Sequence, residues 1–585
     1  MPSRATCRLA SPDEQIAAQH AAIARFEAAL WDGGFNESLL PSYQSAWRRL
    51  ESLIAARGAD NRHHFILVIP VADSPQQLQA CLDSLIELCT LYGYGGQRDG
   101  RWQKVSVMIA DDSQDPACIA AHRRIACAFE ARGLATQVFG LDEQRALLAT
   151  LSDTLDLSRI VGTPRPEAFG HKGQAIMRNI AWLKLAQMQA ADTSRLFYTL
   201  DADQTFQVKV ATADGDRDVY AVNFLAQLDA LFNATDAEVL TGKVVGDPPV
   251  SPAVMAGNFL EDVTGFLHDI AGCDPQEAYW QPAPSTQGSG EAAYHDMAGL
   301  FGFLQADAPY RYRCTLDGSP ANAACFDAFS QHLNRFFHGE HPTRVIGYRH
   351  ADAMHSVQPA RTVYTGNAVF RASALHWFIP FAPLRLRMSG PTLGRLLKAE
   401  LGTRFVSANL PMLHKRTVDA TGQSEFRPGV VAERERIDLC DEFERQFHGD
   451  VMLFSIERLT GQGFPQHAIA PEQIAATLES VQADMLEKYR ARRKAILEKL
   501  GPLHTLLSDP KAWWNHADAL AGARANFHAF ADNLEHNFGA DSACHARIES
   551  AAARAAWRSR QLDAIVHYHA DRLAWDDALA ALMQP

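Results

Sequence analysis

Three short apolar runs, interleaved with helical patterns, constrain this chain more than any other feature. Phe65 to Ile69 (FILVI) is continuously apolar, as a strand buried on both faces must be. It stops at Pro70, and Leu78, Leu82, Leu85 and Leu88 then fall on one face of a helix. The second run, VSVMIA at 105–110, stops at Asp111-Asp112-Ser113 and precedes a helical pattern near 117–132. A further helix is predicted from Gly173 to Ala190, ahead of the third run, Leu196 to Leu200. Strand alternating with helix predicts parallel strands joined by right-handed crossovers, an α/β fold.

In a parallel sheet all C-terminal strand ends emerge on one edge, and ligands bind there. Three of these ends carry acid or turn chemistry: Pro70 to Asp73, Asp111-Asp112, and Asp201-Ala202-Asp203. Singly, each acid is an ordinary cap or turn residue. Gathered on one edge, carboxylates repel unless a cation or a hydrogen-bonding ligand offsets them. Asp-x-Asp at a strand tip suits Mg2+ or Mn2+, which favour carboxylate oxygens and leave positions open for phosphate oxygens.

The remainder of the chain sets limits. Ser11-Pro12-Asp13-Glu14 predicts a capped helix start, and Ile16, Ile23, Phe26 and Leu30 continue it, so residues 1–61 form a helical arm. Over 207 to about 360 the periodicity weakens, and 281–296 (QPAPSTQGSGEAAYHD) reads as a long loop inserted into the region 207–429. Residues 430–585 read as nearly all helix, with Ile474, Leu478, Val481, Met485 and Tyr489 as one stripe. A net charge of −13 without a long basic run disfavours nucleic acid or an anionic membrane surface as the main partner. No apolar stretch is long enough to span a bilayer. The N-terminus lacks the apolar core of a secretory signal. The ten cysteines, without a Cys-x-x-Cys pair, are expected as reduced, mostly buried thiols of a cytoplasmic protein.

Four segments occur in order: VIPVADSPQQLQACLDSL (68–85), VSVMIADDSQDP (105–116), GHKGQAIMRNIAW (170–182) and YTLDADQTF (198–206). Together they resemble the nucleotide-binding half of GT-A glycosyltransferases, above all the family-two-like group. The resemblance covers about 62–418. It implies a Rossmann-like, mostly parallel mixed sheet flanked by helices, here with an N-terminal helical arm and a C-terminal all-α extension. Residues 62–206 would hold the nucleotide sugar and 207–429 the acceptor. Pro70, Val71 and Asp73 would shape the nucleotide entry turn, and Asp111 and Asp112 would accept from the base ring. Lys172 and Arg178 would approach the phosphates or the base. Asp201 would touch the ribose or sugar and, with Asp203, ligate the metal. VYTGNAVFRASAL (363–375) resembles the segment under the donor sugar, which brings in Gly366 and Asn367. RFVSANLPMLHKRT (404–417) resembles the closing strand in which a late His completes the metal site, here His414.

One departure matters. Inverting members carry an acidic residue between these two segments as the base for the acceptor, but residues 385–397 read RLRMSGPTLGRLL. Pro391 and Thr392 stand where the acids are expected, while Arg385 and Arg387 make the stretch basic and suited to a phosphate or carboxylate on the acceptor. The late His also resembles retaining families such as mannosylglycerate synthase, in which no dedicated base is required. Glu400 lies further along and would have to reach back, and the rival base is a carboxylate of the long insertion, Glu291 or Asp296.

The expectation is a metal-dependent transferase using Mn2+ or Mg2+. It would move a hexose from a UDP- or GDP-sugar to an unknown acceptor, with Asp201, Asp203 and Arg387 as the catalytic set. A nucleotidyltransferase on a related sheet would favour a Gly-rich, basic loop after the first strand, which VADSPQQLQ does not offer. A degenerate binding module draws support from the missing acidic loop. Three roles stay open for the C-terminal helices: a homo-oligomer interface, a cover over the acceptor site, or the docking of a partner.

Overall fold

The computed structural model describes residues 11–152, 154–163, 169–188, 194–212, 215–282, 311–418, 430–433 and 436–583. Strands β1 (His64–Val71), β2 (Val105–Asp111), β3 (Ala135–Phe139) and β4 (Arg195–Leu200) come from the predicted alternating region, and β5 (Gln204–Thr205) follows at once. Later come β6 (Val239–Thr241), β7 (Val244–Gly246), β8 (Gln358–Pro359), β9 (Asn367–Arg371), β10 (Phe405–Ser407) and β11 (Met412–His414).

Eight of these strands make one sheet in the order β8-β10-β6-β9-β4-β1-β2-β3. The pairs β1–β2, β1–β4, β2–β3 and β6–β10 are parallel, while β9 runs antiparallel between β4 and β6 and β8 is an antiparallel edge. The fold is therefore α/β with a mostly parallel mixed sheet. A second, three-stranded sheet, β7-β11-β5, stands at the C-terminal tip of β4.

β1 shows why the central strands are apolar throughout. Side chains alternate across a strand. Phe65, Leu67 and Ile69 enter one core, and Ile66 and Val68 enter the other. The first core is covered by α1 (Pro12–Trp31), α2 (Leu40–Arg57), α3 (Pro75–Tyr92) and α4 (Pro116–Ala131). α5 (Gln174–Gln187), α6 (Pro252–Ala271) and α7 (Ser389–Leu401) cover the opposite face. So do the C-terminal helices, among them α8 (Cys440–Thr460) and α9 (Pro471–Leu507). Helices from the two ends of the chain thus cap opposite faces of one sheet.

The local signals behave as their chemistry predicts. Ser11 Oγ accepts from Glu14 N–H at 3.2 Å and the Glu14 carboxylate accepts from Ser11 N–H at 2.7 Å, closing the capping box. The stripe Ile474, Leu478, Val481, Met485 and Tyr489 is buried on α9. α6 escaped the sequence reading. Twelve of its twenty residues are buried and it packs along α9, while Asn258, Glu261, Thr264 and His268 form a narrow polar stripe. Residues 283–310, most of the expected loop, lie outside the described residues. The described thiols are mostly buried, as expected, but Cys440 and Cys544 approach to 3.2 Å between sulfurs. Among the described residues no helix is long and apolar enough to cross a membrane.

Candidate active site

The tips of β1, β2 and β4 share one edge, with Val71 in register with Asp111. β4 ends at Leu200, and the chain turns through Asp201 to Asp203 into β5, where Gln204 pairs with His414 of β11. This pairing delivers His414 to Asp203. His414 Nε2 lies 3.1 Å from Asp203 Oδ2, and both side chains are nearly fully buried. His414 Nδ1 stands 2.9 Å from the Asp247 carbonyl. A carbonyl only accepts, so Nδ1 carries the hydrogen and Nε2 is the position that turns toward the site. Arg416 Nε donates to the same Asp203 oxygen at 3.2 Å. Burial opposes the charge, yet His414 and Arg416 hold the Asp203 carboxyl well below the usual carboxylate range. Asp203 Oδ1, also buried, has no hydrogen-bond partner among the described residues.

Asp201 turns elsewhere. Arg178, buried on α5, donates to Asp201 Oδ1. Asp201 N–H donates to Gln204 Oε1 at 3.3 Å, and Gln204 Nε2 donates to Tyr364 Oη at 3.2 Å. Burial pushes the Asp201 carboxyl up, with Arg178 pulling against it and Asp203 adding repulsion. Gly366 fits because it lacks a side chain: a Cβ there would stand 2.3 Å from Asp201 Oδ2. Asn367 is a structural pin. Its amide donates to the Lys243 and Leu410 carbonyls, both at 2.9 Å, and its oxygen accepts from Tyr198 Oη at 3.0 Å.

The acid pair at the tip of β2 is closed on itself. Asp111 Oδ1 accepts from Ser113 N–H at 3.0 Å, and Oδ2 lies 3.2 Å from His122 Nδ1. Lys172 Nζ donates to Asp112 Oδ1 at 2.6 Å and to the Phe169 carbonyl at 2.8 Å, and Gly173 N–H donates to Asp112 Oδ2 at 3.3 Å. Burial pushes the Asp112 carboxyl up and the Lys172 ammonium down, and the short contact between them offsets both penalties.

Asp73 joins this edge from β1. Its carboxylate accepts from Gln114 N–H at 3.1 Å and Asp115 N–H at 3.0 Å, and lies 2.5 Å from His171 Nε2. It does not cap α3, whose N-cap is Ser74. Pro70 and Val71 are the last residues of β1, and Asp112 N–H donates to the Val71 carbonyl at 2.8 Å.

On the acceptor side, Arg387 pairs at 3.6 Å with buried Glu442 of α8. Glu400 is engaged by Arg572 at 3.2 Å and by the Trp377 indole N–H, which ties it to the C-terminal helices. Glu291 and Asp296 lie outside the described residues. The sequence reading missed Arg416, although it directly follows His414 in the motif HKRT. It also missed Asn179, beside Arg178, which binds the Ile379 N–H at 2.8 Å and so positions the segment leading to Arg385.

Of the three expected metal ligands, two converge. Among the described residues no three His, Cys, Asp or Glu side chains stand close enough to hold a metal unaided. Asp203 and His414 still suit a hard divalent ion. Such ions commonly take one or two protein ligands and complete their shell with water and substrate phosphate. The partnerless Asp203 oxygen beside an imidazole nitrogen offers that partial set.

The chain matches no protein-family model and no curated protein. Among solved structures, it is similar to a mannosyltransferase, PcManGT from Pyrobaculum calidifontis, in complex with GDP-Man and Mn2+. The two share 10% identity over 90% of this chain and 99% of that one, with a TM-score of 0.30, too low for the likeness to bear on fold or activity.

Proposed function

We propose that this chain is a glycosyltransferase of the GT-A type that uses a nucleotide-diphosphate sugar and a divalent metal. One observation carries the reading: Asp203, at the tip of a buried parallel strand, keeps a buried oxygen without a partner among the described residues, beside His414 Nε2. Burying such an oxygen costs free energy unless a ligand satisfies it. Bound there, Mn2+ or Mg2+ supplies charge neutralisation for a departing diphosphate.

The chain's own residues supply the rest. Arg416 directs a guanidinium to the same point and stabilises the leaving group's charge. Arg178 holds Asp201 so that its second oxygen packs against Gly366, where only a residue without a side chain leaves space for the carboxylate. Asp73 and His171, both partly exposed, shape the nucleotide pocket beside the closed Asp111–Asp112 pair. The test is thermal stability of the full chain across UDP- and GDP-sugars with Mn2+. A donor at a hundredfold its dissociation constant adds about 2.7 kcal/mol. No shift with any donor overturns the reading.

We propose further that transfer retains the anomeric configuration. Inversion needs a base positioned to take the acceptor proton. Residues 385–397 contain no acid, and Glu400 is engaged by Arg572 and Trp377. Proton NMR of the first-formed product tests this: an α-linked donor yields an α-linked product, and a β-linked product refutes it.

A further inference from the structure

The basic segment 385–388 and the C-terminal helix α8 meet in a way that the proposed donor chemistry does not use. Phe381, Arg385 and Met388 all adopt left-handed backbone, with φ of 58°, 53° and 66°. Non-glycine residues adopt this conformation at a cost, and such residues cluster at binding and catalytic sites. α8 grips the strained segment by its backbone. Arg387 N–H donates to the Arg445 carbonyl at 3.3 Å, and Arg445 Nε donates to the Arg385 carbonyl at 2.7 Å. Gly449 permits the approach, since a Cβ there would stand 2.4 Å from the Arg387 carbonyl oxygen.

The result is a convergence of like charge. Arg387 and Arg445 share buried Glu442 at 3.6 and 3.9 Å, longer than hydrogen bonds, and both keep more than a quarter of their side-chain surface. Arg385, exposed, stands on the same segment. Asp441, the nearest other acid on α8, is bound by Arg547. The segment leads directly into α7, whose Arg395 donates to the Arg361 carbonyl at 2.5 Å and to Thr362 Oγ1 at 3.1 Å. That strip continues to Gly366, against Asp201. Arg385 and Arg387 precede the start of α7, where a Cβ on Gly390 would stand 2.6 Å from the Val363 carbonyl oxygen, three residues before Gly366.

We propose that Arg385, Arg387 and Arg445 form an anion subsite for the acceptor, so that the sugar is transferred to a hydroxyl compound carrying a phosphate or carboxylate. This rests on the glycosyltransferase reading. Guanidinium forks match both anions in a bidentate manner, and an anion offsets the repulsion among the three neighbouring cations. The subsite also gives the C-terminal helices a direct part in substrate choice, because α8 supplies one arginine and the grip on the other two.

The test has two arms. In the first, inorganic phosphate is titrated against the full chain without donor, followed by thermal melting. The wild type is expected to gain stability with phosphate. The gain is expected to shrink in Arg385→Gln, a variant that removes no ion pair among the described residues and so is expected to fold, and to vanish in Arg385→Gln/Arg387→Gln. In the second, kcat/KM is compared for glycerol, glyceric acid and glycerol 3-phosphate with the donor found by thermal shift. A preference of at least tenfold for one anionic acceptor over glycerol is expected, collapsing in Arg387→Gln mainly through KM, with Arg387→Lys recovering part of it. The relative rates on the carboxylate and the phosphate identify the anion. No phosphate effect, or equal use of glycerol and the two anions by the wild type, overturns the subsite. Failure of every nucleotide sugar to bind overturns the transferase reading instead, and the phosphate arm then still decides whether an anion site exists.

Discussion

Two neighbouring strand tips carry acid pairs, and the molecule spends them in opposite ways. At the tip of β2, Asp111 and Asp112 are matched by Ser113, His122, Lys172 and a backbone N–H, so that each carboxylate is satisfied by the chain. At the tip of β4, Arg178 claims Asp201, but one buried oxygen of Asp203 has no partner among the described residues. A matched buried pair needs nothing from outside and reads as scaffold. An unmatched oxygen in a dry site is a standing cost that a bound cation removes. The same residue type at the same sheet edge therefore does two jobs, and the partners separate them.

The largest effect is expected at the unmatched tip. Asp203→Ala should lower turnover by at least about a thousandfold, the scale seen when a principal electrostatic stabiliser is lost. Thermal stability should fall moderately, because buried His414 and partly buried Arg416 lose the carboxylate oxygen they share. Isothermal titration with Mn2+ should show lost binding. Wild-type turnover in excess chelator would erase the distinction between the two tips.

The matched tip should break the other way. Lys172→Met strands the Asp112 carboxylate in the interior and should cost about 3–5 kcal/mol of stability in denaturant melts. Adding Asp112→Asn should return most of that loss, because the charge is gone along with its partner. If the single variant loses turnover but not stability, Lys172 belongs to the substrate and not to the scaffold.

A smaller effect is expected at Asp111. Hydrogen bonds to a charged group contribute about 1.5–3 kcal/mol, so Asp111→Asn should destabilise by roughly 1–2 kcal/mol, since one amide group still meets Ser113 or His122. Nucleotide affinity should change by less than about threefold, well under 1.4 kcal/mol. A tenfold loss of affinity at unchanged stability would place Asp111 in the nucleotide pocket.

The smallest effect on turnover concerns a carboxylate with neither kind of match. Glu27 of α1 lies 4.0 Å from His350, and burial, with the Asp352 charge adding to it, raises its carboxyl to about 7. The folded chain then holds a proton that the unfolded chain releases near 4.5. Its contribution to stability should fall as pH rises from about 4.5 to 7, the reverse of an ordinary paired carboxylate. Comparing the pH dependence of melting for wild type and Glu27→Gln should isolate a difference of at most about 3 kcal/mol across that window. Parallel profiles would mean that Glu27 is ionised throughout.

Much of the scaffold was legible because its signals are local. β1, β2, β4 and the helices α3, α4 and α5 follow from runs and periods spanning fewer than about twenty residues. The acid-tipped edge follows from parallel topology alone. α6 was missed although its period is present: Asn258, Glu261, Thr264 and His268 mark a narrow polar stripe on an otherwise apolar helix. Arg416 stood in plain view beside His414, yet nothing in HKRT tells which of its basic residues turns inward.

By itself, the sequence determined an α/β core with its acids gathered at one edge, a helical arm before it and helices after it. Apolar period and strand–turn–helix order are properties of short segments, and short segments report their own burial. Only the tertiary structure decided which acid is matched. Asp203 meets His414 across 211 residues, Asp112 meets Lys172 across 60, and Asp201 meets Arg178 across 23. It alone brought Arg445 of α8 against Arg385 and Arg387, 60 and 58 positions earlier. Local pattern carries no information about partners at such separations, because they are chosen by how strands order in the sheet and which helix closes over each end. The charge balance that separates scaffold from site is settled there, where burial makes an unmatched carboxylate costly and a matched one quiet.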